Sequence, residues 1–207
     1  MKMAIRTIAI CAAFLVMGIV TIEQASADSL VFDYHGWHVD LTKASGVAPD
    51  EALTGLVKHQ LDITEHVGLK PDVLRFMKTV PIWADPMRRD SGPGHYQRAT
   101  GVDVRVRALD RDKPIILHEL LHAYHDQLLP AGFRNSEIEG FFERGKASWP
   151  ADAYMVSNNR EFFAVTASVY LFGDIPRPPF SRSLLREKQP DYFKWLADLF
   201  DNGKPRS

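Results

Sequence analysis

The pattern of hydrophobic and polar positions divides the chain into a strand-containing first part and a helical second part. Residues 31–41 are rich in β-branched and aromatic side chains around Gly36, which predicts either a hairpin or one bent strand. The short apolar run 80–84 predicts another strand. Residues 102–108 alternate between apolar and charged side chains, which predicts a strand with one buried face.

Helical spacing of apolar residues dominates the rest of the chain. It predicts helices over residues 50–66, 71–77, 115–129 and 158–172, and a last helix around 192–200. Pro130 and Gly173 are expected to end the third and fourth of these helices, and residues 90–94 and 174–181 read as loops. The chain begins with strands and helices and continues mostly with helices, and this order predicts an α+β domain.

The composition is that of a globular protein, and it argues against a nucleic acid or an anionic membrane as a partner. The 207 residues are 45% hydrophobic and 25% charged, as in ordinary globular proteins. The 25 basic residues nearly balance the 26 acidic ones, so nothing electrostatic favours a nucleic acid or an anionic membrane surface as a partner. The single cysteine, Cys11, excludes an internal disulfide.

The first 27 residues predict a cleaved secretory signal. Lys2 and Arg6 precede the uncharged run 8–20, which is shorter than the roughly 20 residues that a membrane span needs. An Ala25-Ser26-Ala27 site then predicts cleavage before Asp28. We therefore expect an exported protein, periplasmic or extracellular, with a single domain over residues 28–207 and no membrane contact after cleavage.

The segment His118-Glu119-Leu120-Leu121-His122 carries the strongest chemical signal. Residues i and i+4 of a helix lie on one face, so both imidazoles can bind one metal ion while Glu119 reaches a water on it. This is the H-E-x-x-H arrangement of zinc peptidases. The alternative is two surface histidines, but the helix is apolar nearly all round, which predicts burial.

A catalytic zinc needs a third protein ligand, and Glu161 is the best candidate. It is the only carboxylate in the apolar helix 158–172. Its alternative role is a capping box with Asn158, in which the carboxylate would reach back to a backbone N–H. A metzincin is excluded because His125 and Leu128 stand where Gly and His would be needed.

Other candidates are weaker. His125 is expected to point along the helix away from the metal, whereas Asp126 could support the site indirectly. The remaining histidines are expected to be surface or structural residues: His35, His38, His59, His66 and His95.

With these motifs the chain resembles the gluzincin metallopeptidases, in particular the group that includes the catalytic domain of anthrax lethal factor. That group has its zinc-binding glutamate in an E-F-F-A-E segment, with a tyrosine seven residues earlier. Here Glu161-Phe162-Phe163-Ala164 and Tyr154 match. The run HELLHAYHDQ, residues 118–127, also resembles a set of uncharacterised secreted proteins regarded as metallopeptidases; the specific matches lie within 118–172.

The resemblance implies a zincin-like fold, with a small mixed sheet packed on the H-E-x-x-H helix, and hydrolysis of a peptide or protein substrate. It implies one zinc ion bound by His118, His122 and Glu161, with Glu119 as general base and Tyr154 as electrophilic helper. Tyr154 could instead be a packed aromatic with a surface hydroxyl. Val165 replaces the second glutamate of the family pattern, which puts the efficiency of the site in doubt.

Two rival functions stay open at this point. One is a zinc- or partner-binding protein that keeps the metal and has lost turnover. The other is an exported domain in which the HELLH segment is coincidental. If the chain is a peptidase, the predicted strand 102–108 could be an edge to which an extended peptide adds.

Overall fold

The described part of the chain forms a five-stranded mixed sheet together with seven α-helices. The structure is a computed structural model that describes residues 30–85 and 92–201. The strands are β1 (Val31–Tyr34), β2 (Trp37–Asp40), β3 (Ile82–Ala84), β4 (Gly94–Gln97) and β5 (Gly101–Val104). The helices are α1 (Asp50–His66), α2 (Pro71–Met77), α3 (Ile115–Gln127), α4 (Ser136–Gly145), α5 (Asn159–Phe172), α6 (Arg182–Lys188) and α7 (Pro190–Phe200). The predicted α+β class is confirmed.

The sheet has the strand order β1-β2-β3-β5-β4. Strands β1 and β2 form an antiparallel hairpin, which settles the choice left open for residues 31–41. His35 and Gly36, at its turn, both have positive φ, 50° and 84°. This is the geometry of a two-residue turn that matches strand twist. Strand β3 runs parallel to both β2 and β5, and β4 closes the far edge antiparallel to β5.

The prediction of an edge strand with one buried face over residues 102–108 is wrong. Strand β5 ends at Val104, and a 3-10 turn follows at Val106–Ala108. Because β5 pairs with strands on both sides, all four of its residues are buried, including Asp103. The edge at this side of the sheet belongs to β4, in a region whose start reads as a loop from sequence.

The H-E-x-x-H helix, α3, lies at the centre of the core, as its apolar surroundings predict. Every residue from Ile115 to Asp126 is buried. It packs most extensively against α5, and it also contacts β4 and α1. Asn158 caps α5 by accepting the backbone N–H groups of Arg160 and Glu161, and the helix ends before Gly173 as predicted.

Two helices have no counterpart in the pattern analysis. Asn135 caps α4 by accepting the N–H of Ile138, and the helix is amphipathic, with Ile138 buried and Phe141 and Phe142 packed against the core. The seven-residue α6 follows a proline-rich connection. Both helices pack against α5, and such packing supplies most of the stability of short helices.

None of the helices that the structure describes is long and apolar enough to cross a membrane. The predicted signal, residues 1–27, lies outside the described residues. The single-domain boundary at 28–207 likewise stays a prediction.

Candidate metal centre

The two histidines of α3 and a glutamate of α5 converge on one point. His118 and His122 lie one helical turn apart, with ring centroids 4.8 Å from each other. Glu161 enters from the first turn of α5. Its Oε2 lies 3.3 Å from His118 Nε2 and its Oε1 lies 3.5 Å from His122 Nε2. One ligand atom from each residue lies within 4.8 Å of the others, so the structure brings together the three predicted ligands.

This donor set suits a divalent metal. Glu161 Oε2 and His118 Nδ1 are buried and have no hydrogen-bond partner among the described residues. A buried carboxylate oxygen without a partner is costly, and a cation between Glu161 and the two Nε2 atoms that face it would compensate that oxygen. His118 Nδ1 points to the other side of its ring, so this cation would not satisfy it. Two imidazoles and one carboxylate, with a fourth position open, are the donors of a catalytic zinc site.

The geometry of Glu161 decides against the capping box. Asn158 does cap the helix, but the Glu161 carboxylate faces the two histidines instead of a backbone N–H. Burial by itself would raise the pKa of Glu161. The facing His118 and His122 outweigh burial and hold this pKa well below its usual range, so the carboxylate is ionised.

Glu119 is buried beside the two histidines and touches the edge strand. Its carboxyl group lies against the backbone of Gly94, at the start of β4. A Cβ atom at residue 94 would meet Glu119 Oε1 at 2.9 Å, so only glycine leaves room for this side chain as it stands. The close approach of β4 fixes where Glu119 can lie.

Tyr154 lies in the 3-10 turn Tyr154–Val156, on the wall of the same cavity. Half of its surface is exposed, at 51%, but its hydroxyl end is partly buried and feels the charge of Glu161. Burial of the hydroxyl end, followed by the charge of Glu161, raises the pKa of Tyr154, so it stays protonated. The role of Tyr154 as electrophilic helper stays a prediction.

A cavity of about 730 Å³ opens over these residues. Strand β4 forms one wall with Gly94, His95 and Tyr96, so His95 faces the site although we expected a surface or structural role. The connection after α5 adds another wall, and Phe133, Arg160 and Lys113 complete the rim. Pattern analysis missed these residues because they come from separate segments without a shared motif. A volume of this size is typical of ligand-binding sites in proteins.

The two neighbouring candidates, His125 and Asp126, do not point at the metal position. His125 is buried between Phe133 and Phe163, with ring centroids 5.2 and 5.0 Å away. Asp126 accepts hydrogen bonds from Tyr96 Oη at 2.9 Å and Arg98 Nε at 2.8 Å. Asp126 therefore fastens the end of α3 to the edge strand.

Comparison with known proteins finds a protein of similar sequence and a solved structure of similar fold. No family model matches the chain. A Pro-Pro endopeptidase from Paenibacillus alvei is 29% identical over 119 residues, which cover 55% of this chain and 52% of the relative. The chain thus spans about half the length of the curated relative that it matches.

The fold matches a solved structure more fully. The Pro-Pro endopeptidase structure from Paenibacillus alvei has a TM-score of 0.55 with 21% sequence identity, covering 78% of this chain and 97% of that one. This match confirms the predicted fold, and together with the sequence match it confirms the resemblance to a peptidase. The narrower resemblance to the lethal factor group stays a prediction. The chain is therefore similar, over half its length in sequence and most of it in fold, to a Pro-Pro endopeptidase.

Proposed function

We propose that this protein is a zinc-dependent endopeptidase. The observation that carries the proposal is the convergence of His118, His122 and Glu161 from two helices, with Glu119 beside them in the same cavity. A coincidental HELLH segment gives no reason for a distant carboxylate to meet both imidazoles. The similarity to an endopeptidase supports the same reading.

In this proposal the three ligands hold one zinc ion per chain. His118 and His122 offer Nε2, and Glu161 offers its ionised carboxylate. When bound there, zinc would polarise the substrate carbonyl and lower the pKa of water toward about 7. The remaining work belongs to side chains of the chain itself.

Glu119 would move the proton. Its carboxylate takes a proton from the attacking water while the water oxygen bonds to the peptide carbonyl carbon. The protonated Glu119 then gives that proton to the leaving amine nitrogen as the C–N bond breaks. The Tyr154 hydroxyl, which stays protonated, would donate a hydrogen bond to the developing oxyanion.

The proposed substrate is an extended peptide that contains adjacent prolines. The name of the relative describes cleavage at such a sequence. In this chain the cavity walls contain apolar and rigid side chains suited to pyrrolidine rings: Pro93, Pro114, Ile115, Val165, Ile175 and Pro176. The outer edge of β4 offers the pairing surface that we first assigned to residues 102–108.

Export remains part of the proposal. The basic, apolar and small-residue regions of residues 1–27 support secretion with a mature chain that begins at Asp28. Amino-terminal sequencing of exported protein is the test, and recovery of Met1 or of a residue within 8–20 would contradict it.

A second candidate is a zinc-binding protein of the same fold with little or no turnover. Val165 stands where the resembling family has a carboxylate, and the buried Nδ1 of His118 has no partner among the described residues. A missing carboxylate near a ligand can lower activity about 10- to 100-fold. A hydrolysis assay of wild type against Glu119→Gln, with zinc content measured in both, separates the two candidates.

A further inference from the structure

Two arginines on the cavity rim have no acidic partner in the part of the chain that the structure describes. Arg160 precedes the proposed ligand Glu161, and Arg177 lies in the connection after α5; both side chains line the cavity and are exposed. Neither forms an ion pair with any residue that the structure describes. The third cation of the rim, Lys113, differs because its Nζ lies 2.7 Å from Asp110.

Both guanidinium groups rest on aromatic rings of the cavity wall. The Arg160 guanidinium lies 4.3 Å from the ring centroid of Phe133, and that of Arg177 lies 5.3 Å from the centroid of Tyr154. Such contacts restrain a guanidinium and leave its N–H edge free to bind a carboxylate with two hydrogen bonds. The two arginines can therefore bind a ligand carboxylate without first breaking an internal salt bridge.

The charge balance of the cavity points to an anionic ligand. Glu119 and Glu161 are the acidic residues of the described lining, and a bound zinc ion would offset their two charges. Arg160 and Arg177 then remain as uncompensated positive charge in a concave site, which attracts negative groups.

We infer that the preferred substrates carry acidic residues near the scissile bond, and that Arg160 and Arg177 each bind one substrate carboxylate. This rests on the proposed function and specifies its substrate class. Since the two arginines lie on different walls of the cavity, they bind carboxylates at different positions of the substrate. An exposed Arg–carboxylate pair with good geometry is expected to contribute about three- to tenfold in kcat/KM.

The test uses zinc-loaded protein and peptides built on one cleaved parent sequence. Each position around the scissile bond, except the two adjacent prolines, is changed in turn to Glu or to Gln, and kcat/KM is measured. The variants are Arg160→Gln and Arg177→Gln. Arg186→Gln is the matched control, because Arg186 also stacks on an aromatic ring, 4.7 Å from Phe193, but lies outside the cavity.

Wild type and Arg186→Gln should prefer Glu over Gln at two positions, by about three- to tenfold at each. Arg160→Gln should lose one preference and Arg177→Gln the other. Both preferences should shrink in about 1 M salt, where the screening length falls to about 3 Å.

Equal rates for Glu and Gln peptides with wild type would overturn the inference while leaving the peptidase intact. Equal losses on all peptides in the arginine variants would also overturn it, since that outcome describes a transition-state or structural role. If wild type cleaves no peptide, the proposed function and this inference fail together.

Discussion

The backbone of Gly94 lies so close to the side chain of Glu119 that a Cβ atom there would be 2.7 Å from Glu119 Cγ. This contact joins the edge strand β4 to the proposed general base. It means that the sheet edge, and not only helix α3, determines where the carboxylate can accept a proton.

Gly94→Ala should therefore displace Glu119 and lower kcat. A shift of about 1 Å in a catalytic group can cost up to about 100-fold, so we expect a loss of about 10- to 100-fold with zinc content unchanged. Steady-state kinetics and metal analysis check this. Gly55→Ala is the control, because a Cβ at that exposed helical position meets nothing within 4 Å. An unchanged kcat in Gly94→Ala would contradict this, because it would show that Glu119 can move aside and still accept the proton.

Zinc should stabilise the folded protein through the three proposed ligands. Binding at about 100 times Kd adds about 2.7 kcal/mol, which for a chain of this size raises Tm by about 5 to 10 °C. His122→Ala should lose both the metal and the rise in Tm, whereas His66→Ala, at the exposed end of α1, should keep them. Thermal unfolding with and without zinc, together with elemental analysis, gives the answer. Full metal retention in His122→Ala would refute the ligand assignment.

Stability of the metal-free protein should fall in mild acid because of His125. Burial, then the charge of His122, lowers the pKa of His125 to about 4 from the ordinary value of 6.5 for histidine. Between these two values the unfolded chain binds a proton that the folded chain does not. The free energy of unfolding therefore decreases as pH falls from about 6.5 to 4, by roughly 2 to 3 kcal/mol in total.

Urea unfolding of chelator-treated protein across this pH range measures the effect. His125→Phe keeps an aromatic ring against Phe133 and Phe163 but cannot take up a proton, so its stability should depend less on pH. If the free energy of unfolding depends on pH equally in wild type and His125→Phe, the acid sensitivity belongs to other groups.

Val165→Glu should destabilise the fold and not raise turnover. Val165 borders the cavity but is itself fully buried, within a helix whose residues from Phe162 to Leu171 are all buried, so a carboxylate there would lose most of its hydration. We expect the free energy of unfolding to drop by roughly 2 to 4 kcal/mol, and by less for the smaller change Val165→Thr. Denaturant unfolding and peptide hydrolysis measure both effects. A stable Val165→Glu protein with higher activity would instead show that the missing carboxylate limits the enzyme.

The parts of the fold that follow from sequence are those fixed by local periodicity and end signals. Helices α1, α2 and α5 match their predicted ranges within a residue, because apolar spacing and residues such as Pro71, Asn158 and Gly173 act locally. The alternation over residues 102–108 predicted an edge strand, which is wrong for two reasons. Arg105 and Arg107 lie beyond the end of β5. The position of a strand within the sheet depends on pairing with residues distant in sequence.

The same distinction applies to the site. His118, Glu119 and His122 are predictable from one helical turn, and Glu161 stands out as the lone carboxylate of an apolar helix. Nothing local indicates that Gly94 touches Glu119, because that contact depends on how β4 packs on α3.

The role of Glu119 is the central claim, and Glu119→Gln tests it most directly, since this change keeps the shape of the side chain and removes the proton acceptor. Wild type and variant are compared on a peptide library that includes adjacent prolines, with zinc measured in both. The account predicts equal zinc content and a loss of turnover by a factor of about 100 or more in the variant. Equal background hydrolysis by both proteins, each with zinc bound, would contradict it and leave a zinc-binding protein without peptidase activity.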